Sequence, residues 1–565
     1  MMAHKIKIWD RIMNRFMKII LSFGSLILMA CSAPEVEKTT VSKIITNANV
    51  WTGNDAQPWA QTIVIDGERI VAVGGVDIED QYSGEIINAG GNLVLPGFID
   101  NHTHFMDGSA SLLGIRTQFT KSSQEFITMV RDYAASSPEG EWIVGGLWDH
   151  ESWEGNLPHK DWIDQYTQNK PLFLLRTDGH MAIANSVVLE LAGITKDTPD
   201  PEGGAIVRDK DGEPTGVLKD NAMNTVWAVL PALSMEQADR TFDVGIQEAL
   251  ENGVTQVHNM SNWANIEIFE RAKEQGRLKI RTYYFPHISN RHKLAEKIKN
   301  EGKGDNWLRF GGVKELVDGS LGSTTAWFYD PYSDEPDTNG FPLMKMDVLK
   351  TSLEEAHAYG FQLAIHGIGD QTNDEILRLF EEIGAKGHRP RIEHAQHLTP
   401  DAIDKFADLG AIPSVQPYHV IDDGRWAEKR IGVDRLPGTY PFKSLFDADA
   451  RVTFGSDWSV APLEPLSGIY AAVTRRTLDG KNPNGWTPEQ KITVEQAVKA
   501  YTINNAWAGN QEADAGTIEV GKLADLVVVS DNIFEIDPND IMNTKVLMTI
   551  VGGDLKYSTD NSIDK

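Results

Sequence analysis

Cysteine is almost missing from this chain. Cys31 is the only one in 565 residues, which excludes an intramolecular disulfide framework. Positive charge is also scarce, with 53 Lys and Arg against 81 Asp and Glu, a net charge of −28. A balance so acidic argues against binding nucleic acid or an anionic membrane surface, and it favours solubility. No internal repeat and no low-complexity tract interrupts the sequence. What remains is an enzyme-sized chain, too long for one ordinary domain and suited to a large domain with an accessory one.

The lone cysteine has a telling position. Lys5, Lys7, Arg11, Arg15 and Lys18 precede the apolar run from Ile19 to Ala30, which leads directly into Cys31. A basic segment followed by so short an apolar one reads as a secretory leader and not as a membrane span. Leu28-Met29-Ala30-Cys31-Ser32 resembles a bacterial lipobox, in which the cysteine takes the lipid and becomes the mature N-terminus. The competing reading is a buried N-terminal helix with an incidental cysteine. Residues 1–30 are therefore expected to be a lipoprotein signal peptide, with Cys31 as the lipidation site and 31–43 as a tether. Ser32 after the cysteine resembles the outer-membrane sorting pattern. The expected location is the cell envelope of a bacterium, lipid-anchored in the outer membrane and facing the periplasm. Met13 or Met17 as initiator would give a more usual leader length.

Strand-like runs follow at both ends. Lys43 to Val50 and Thr62 to Gly74, the latter with an Asp66-Gly67 turn, read as a β-meander. Ala524 to Val529 and Val546 to Gly552 repeat the pattern near the C-terminus. This predicts a composite β-sandwich domain built from both termini, residues 44–93 and 510–560.

Between them, strand-like runs alternate with longer helical patterns, as in a parallel α/β fold. The runs are the opening stretch from Val94, then Val254–His258, Ile280–Phe285, Phe310–Val317, Gln362–His366, Arg391–His394, Ile412–Gln416 and Val452–Gly455. Eight such strands predict a (β/α)8 TIM barrel over 94–509. A large insertion after the first strand, roughly 105–234, is expected to cover the active site. Its Trp142, Trp148, Trp153 and Trp162 are candidates to line a pocket, although tryptophans are more often core.

Barrel strands deliver their last residues to one mouth. Here those residues are His102, His104, Lys314, His366, His394 and Asp457. His102 and His104, two apart on a strand, point the same way and suit a divalent metal such as zinc. Taken singly each has a plain alternative: Lys314 as a solvated strand end, Asp457 as a helix N-cap. Together, on five strand ends, they are hard to explain as packing.

The motifs carry a resemblance. Leu95-Pro96-Gly97-Phe98-Ile99-Asp100-Asn101-His102-Thr103-His104, Arg176-Thr177-Asp178-Gly179-His180, Gly312-Val313-Lys314 with Asp318-Gly319-Ser320, Ile365-His366-Gly367, Ile392-Glu393-His394-Ala395, Phe454-Gly455-Ser456-Asp457 and Gly516 to Val527 together resemble the metal-dependent amidohydrolase superfamily. The likeness is to its amidohydrolase-3 branch, which includes N-substituted formamide deformylase-like enzymes. The resemblance implies hydrolysis of a non-peptide carbon–nitrogen bond, of amide, N-acyl or N-formyl type, by attack of metal-bound hydroxide. It also implies that His102, His104 and Asp457 bind one divalent metal, His366 and His394 a second, and that Lys314 bridges them as a carbamate. One metal with an unmodified Lys314 stays open. Asp457 would also move the proton, and His180 would touch the substrate carbonyl, or else serve only a hydrogen bond within its loop.

Other functions remain in play at this level. A purine-deaminase-like enzyme would share His-x-His, but it should carry His-x-x-Glu where this chain has His366-Gly367-Ile368-Gly369. A lactonase or esterase would use the same ligands. A non-catalytic surface binding lipoprotein is the alternative outside enzymes, against which every ligand position is filled. The expected partner is a small-molecule substrate, with no nucleic acid and with a membrane only through the lipid; a homodimer is left open.

Overall fold

The computed structural model describes residues 38–153 and 155–559. The stretch expected to be a leader, Cys31 and the first part of the expected tether lie outside the described residues. The rest of the tether is corrected by the structure, because Thr39–Thr46 is already a strand. Its β-branched Thr39, Thr40 and Val41 suit extended backbone. It pairs antiparallel with Thr62–Asp66 and parallel with Tyr82–Asn88.

Two sheets gather the ends of the chain. One runs Arg69–Gly74, Thr62–Asp66, Thr39–Thr46, Tyr82–Asn88. The other takes Asp554–Ser558, Val546–Val551 and Leu526–Val529 from the C-terminal side and Leu93–Pro96, Asn49–Trp51 and Trp59–Ala60 from the N-terminal side. Ile45, Ile63 and Ile65 of the first sheet share a buried cluster with Val94, Leu526, Val528 and Ile550 of the second. The run from Val94 to Pro96, expected to open the central domain, thus pairs with a C-terminal strand instead. The change of sheet falls at Gly97, where a Cβ would lie 2.3 Å from Thr255 Cγ2.

The central region holds eight parallel strands: β1 (Phe98–Thr103), β2 (Val254–Ser261), β3 (Arg281–Pro286), β4 (Leu308–Phe310 continuing as Gly312–Leu316), β5 (Gln362–Gly367), β6 (Arg391–His394), β7 (Ile412–Val415) and β8 (Thr453–Phe454). They form two runs, β1–β2–β3 with the first half of β4, and the second half of β4 with β5–β6–β7–β8. A parallel bridge joins His287 to Lys314 and another joins Thr103 to Trp458, at the two places where the runs meet. Helices alternate with these strands. Met235–Glu251 begins in a capping box between Ser234 and Gln237. It buries Phe242, Ile246 and Leu250 on one stripe at four-residue spacing. Each such side chain contributes about 2 kcal/mol on leaving water.

The segment after β1 carries a six-stranded sheet of its own, ordered Gly204–Arg208, Pro214–Asp220, Met181–Ala184, Leu172–Arg176, Ile143–Trp148, Ile115–Arg116. Among the described residues, no helix is long and apolar enough to cross a membrane.

Candidate active site

The ends of β1 and β8 are laced together before any side chain is considered. Asp457 N donates to His102 O at 2.8 Å, and His104 N to Trp458 O at 2.7 Å. Asp100, fully buried, accepts from Ser456 N at 3.0 Å and from His102 N at 3.1 Å. Burial pushes its carboxyl up to about 7. Gly455 lets the strands meet this closely, since a Cβ there would come within 2.8 Å of Asn101 Oδ1, His102 N and Asp100 Oδ1.

On this frame the structure brings His102, His394 and Asp457 together, with one donor atom from each within 4.8 Å of the others. His102 is fully buried and its Nδ1 lies 2.6 Å from Glu393 Oε2. Glu393 is held well below the usual carboxylate range: burial opposes this, and the charge of Arg391 with the hydrogen bond from His102 outweighs it. An ionised Glu393 accepts, so Nδ1 of His102 carries the proton and Nε2 presents a lone pair. His394 is oriented likewise, its Nδ1 2.7 Å from Gln416 Oε1. Burial lowers the pKa of both histidines, His102 to about 4 and His394 well below its ordinary value, so both imidazoles are neutral.

The remaining predicted residues ring this centre. His104 Nε2 lies 3.3 Å from Asp457 Oδ1, and its side chain is about one-third exposed (34%). Lys314 Nζ is 3.1 Å from His102 Nε2, and burial lowers the amine to about 8. The His366 ring sits 4.5 Å from that of His394, and its Nε2 is 3.1 Å from Gly319 O. His180 reaches in from the loop before Met181–Ala184, its ring 5.0 Å from that of His366. Its Nδ1 pairs with Asp220 Oδ1 at 2.6 Å, leaving Nε2 for the cleft. Burial pulls the His180 pKa down, but Asp220, Asp178 and Asp318 raise it overall.

Asp457 supplies the test of whether these residues fit a cation. Its pKa lies well below normal, because His102, His104 and His394 outweigh the opposing effect of burial. Its Oδ1 is buried, has no hydrogen-bond partner, and stands 3.5 Å from His102 Nε2. A lone pair and an anionic oxygen thus face each other out of reach of solvent. Lys314 serves His102 Nε2 but leaves Asp457 Oδ1 unanswered. A buried anion facing lone pairs calls for a cation, and this donor set of imidazole nitrogens and a carboxylate oxygen suits zinc or a similar ion. Two of the residues also sit in left-handed backbone, His394 at φ 77° and Asp457 at φ 60°. Such conformations cost about 1 kcal/mol or more each and gather where function fixes geometry.

The centre opens into a cleft whose walls include Asp149, Arg176, Asp422, Asp423, Arg425 and Trp426. The expected tryptophans do not line it. Trp148 and Trp153 stack at 6.0 Å within the core of the insertion, and Trp162 packs against the same cluster. Trp142 packs against a second insertion cluster. The insertion needs them to bury its sheet, and Trp148 Nε1 is spent on Leu174 O at 2.8 Å. Sequence reasoning passed over Glu393, Gln416, Asp220 and His419. None of the four carried a local signal, since strand alternation is expected to turn Glu393 away from His394.

A family model described as "Amidohydrolase family" matches residues 85–557. The chain is 35% identical over 534 residues to the Arabidopsis thaliana protein LONG AFTER FAR-RED 3, covering 91% of each. It is 27% identical to N-substituted formamide deformylase of Arthrobacter pascens, covering 92% of this chain and 99% of that one. Among solved structures, an uncharacterized metal-dependent hydrolase from Pyrococcus horikoshii superposes with a TM-score of 0.72 at 28% identity, over 88% of this chain and 99% of that chain.

Proposed function

This chain belongs to the amidohydrolase family and is a hydrolase of carbon–nitrogen bonds other than peptide bonds, and from that premise we propose that it cleaves a neutral amide of N-acyl or N-formyl type at the His102–His394–Asp457 centre. The observation that carries the proposal is the buried, unpartnered Asp457 Oδ1 facing His102 Nε2 and His104 Nε2. We further read the two parallel sheets as one closed (β/α)8 barrel, a reading supported by the bridges at both seams. The two terminal sheets are read as its β-sandwich companion, supported by their shared core.

In this reading His102, His104 and Asp457 hold a divalent ion, zinc by ligand chemistry. His366 and His394 would hold a second, and Lys314, as a carbamate, would supply an anionic oxygen ligand between them. Such an ion, when bound, acidifies water and polarises a carbonyl. The protein's own groups supply the rest. Asp457, kept ionised, takes a proton from water at its carboxylate and returns it to the departing nitrogen, which is otherwise a poor leaving group. His180, its pKa raised by Asp220 against the opposing effect of burial, donates Nε2–H to the carbonyl oxygen when protonated, as negative charge builds there. Glu393 and Gln416 hold His102 and His394 in the tautomers that leave lone pairs on Nε2.

The test is a turnover screen with purified, metal-loaded protein on N-formyl amines, N-acyl amines, cyclic amides and lactones, with metal content measured in parallel. Amides should be cleaved, with oxygen-18 from water in the released acid. His102→Ala, His104→Ala and Asp457→Ala should each lose metal and turnover. Cleavage of lactones alone, or full metal and rate in any of the three variants, overturns the proposal. Anchoring through Cys31 is a separate proposal, supported by the lipobox-like sequence. Cys31→Ser should move the protein from membrane to soluble fraction with unchanged turnover, and a wholly soluble wild type refutes it.

A further inference from the structure

The wall of the cleft has a pattern of spent and unspent groups. Arg176 gives Nη1 to Asp178 at 2.7 Å, Nη2 to Asp149 at 3.0 Å and Nε to His150 at 3.2 Å. Arg425 is divided among Asp149 at 3.0 Å, Ser152 at 3.2 Å and both the side chain and the backbone carbonyl of Asp422. Neither guanidinium is free to receive a substrate carboxylate. Four aspartates of the wall (Asp149, Asp178, Asp422 and Asp423) outnumber these two arginines. The wall offers a substrate carboxylate no unpaired cation.

His419 is the exception among these satisfied groups. It lines the cleft, is only 7% exposed, and its ring lies parallel to that of His394, 6.4 Å away at 14°. Gln396 Nε2 stands 3.5 Å from Nδ1, placed to donate to it. That arrangement puts the ring proton on Nε2. Nε2 has no partner. A buried N–H left unanswered is costly, and such a group in a cleft awaits an acceptor from a ligand. The cleft therefore offers one unspent imidazole N–H, that of His419 beside His394, whereas His180 beside His366 gives its Nδ1–H to Asp220.

Building on the reading of the cleft as an amide site, we propose that its substrate is a neutral amide bearing a second carbonyl-type acceptor, bound by Nε2–H of His419 while the scissile carbonyl lies at His180. Imides, acylureas and amides carrying a second neutral acyl group have this pattern; the carboxylate of an N-acyl amino acid would find no unpaired arginine on the wall. His419 is thus a specificity-determining residue. A site that hydrogen-bonds one acceptor discriminates strongly against the analogue lacking it.

The test uses N-methylglutarimide and N-methyl-2-piperidone, which differ by one carbonyl, with binding to the metal-loaded protein measured by calorimetry. The wild type should bind the two-carbonyl compound at least tenfold more tightly. His419→Phe should reduce that ratio to below twofold with metal content unchanged, and His419→Gln, which keeps an N–H, should restore a ratio above threefold. A wild-type ratio near one overturns the proposal, as does a full ratio in His419→Phe. Because the readout is binding, it is separable from the amide-hydrolase reading: an intact, His419-dependent ratio with no amide cleaved strikes at the catalytic reading alone.

Discussion

His102 Nδ1 and Glu393 Oε2 lie 2.6 Å apart with both side chains fully buried. Glu393 is itself gripped by Arg391 at 2.7 Å and Ser414 at 2.5 Å, so the imidazole is held by a carboxylate that cannot swing away. A carboxylate behind a histidine ligand fixes its tautomer and raises its basicity. Glu393→Gln should weaken metal affinity about 10- to 100-fold, the usual cost of removing such a partner. Competition with a chelator reads this directly, and unchanged affinity sinks the assigned role.

That relationship also marks where the sequence stops being readable. Strand alternation sends consecutive residues to opposite faces, so Glu393 and His394 are not expected to serve one site. The left-handed turn of the backbone at His394, φ 77°, breaks the alternation, and both side chains reach His102. Five of the six residues were legible because each stands at or just beyond the end of an apolar run, and Lys314 because it is a cation within one. Gln416 was not, although it follows β7 directly, because nothing about a glutamine at that position distinguishes a partner of His394 from a solvated amide. Trp148 misled for the opposite reason. A large aromatic in an insertion says nothing of whether it faces the cleft or the insertion's own sheet, and here the sheet claims it.

Gly455 tests how tightly β8 must sit against β1. A methyl group there would meet Asn101 Oδ1 at 2.6 Å, His102 N at 2.7 Å and Asp100 Oδ1 at 2.8 Å, backbone and buried polar atoms with nowhere to go. Gly455→Ala should cost about 1 to 3 kcal/mol, as overpacking does. It should also weaken metal binding, because Asp457 is two residues away and shifts with the strand. Thermal unfolding and metal content measure the two effects, and an alanine variant matching wild type in both contradicts the close approach.

Asp178 supplies a pH-dependent share of stability. Burial acts to raise its pKa, but Arg176, His180, Ser320 and Ser323 together hold it down at about 2. An unfolded aspartate titrates near 3.9. A depressed carboxyl stabilises the folded state above its unfolded pKa, and that share disappears as pH falls through the folded one. The difference amounts to about 3 kcal/mol. Asp178→Asn should therefore lower the urea midpoint at pH 6, and its gap to wild type should narrow as pH falls towards 3. A gap constant over that range excludes the ion pair as its source.

The last prediction concerns Lys314. Its Nζ lies 3.1 Å from His102 Nε2, where an ammonium would repel the cation that Asp457 Oδ1 calls for. Burial lowers the amine to about 8, so a useful fraction is neutral near physiological pH. A neutral amine adds to carbon dioxide, forming one N–C bond and releasing one proton, and the resulting carbamate is an anionic two-oxygen ligand in place of a repelling charge. Wild-type protein prepared without bicarbonate should bind less metal and turn over more slowly, and bicarbonate should restore both. Labelling with carbon-13 bicarbonate should give a carbonyl resonance absent from Lys314→Ala, and that variant should regain part of its activity with added short carboxylic acids. An intact-mass measurement under native conditions showing active, metal-loaded protein without the added carbon dioxide would leave Lys314 as an unmodified amine and remove the bridge from the proposed site.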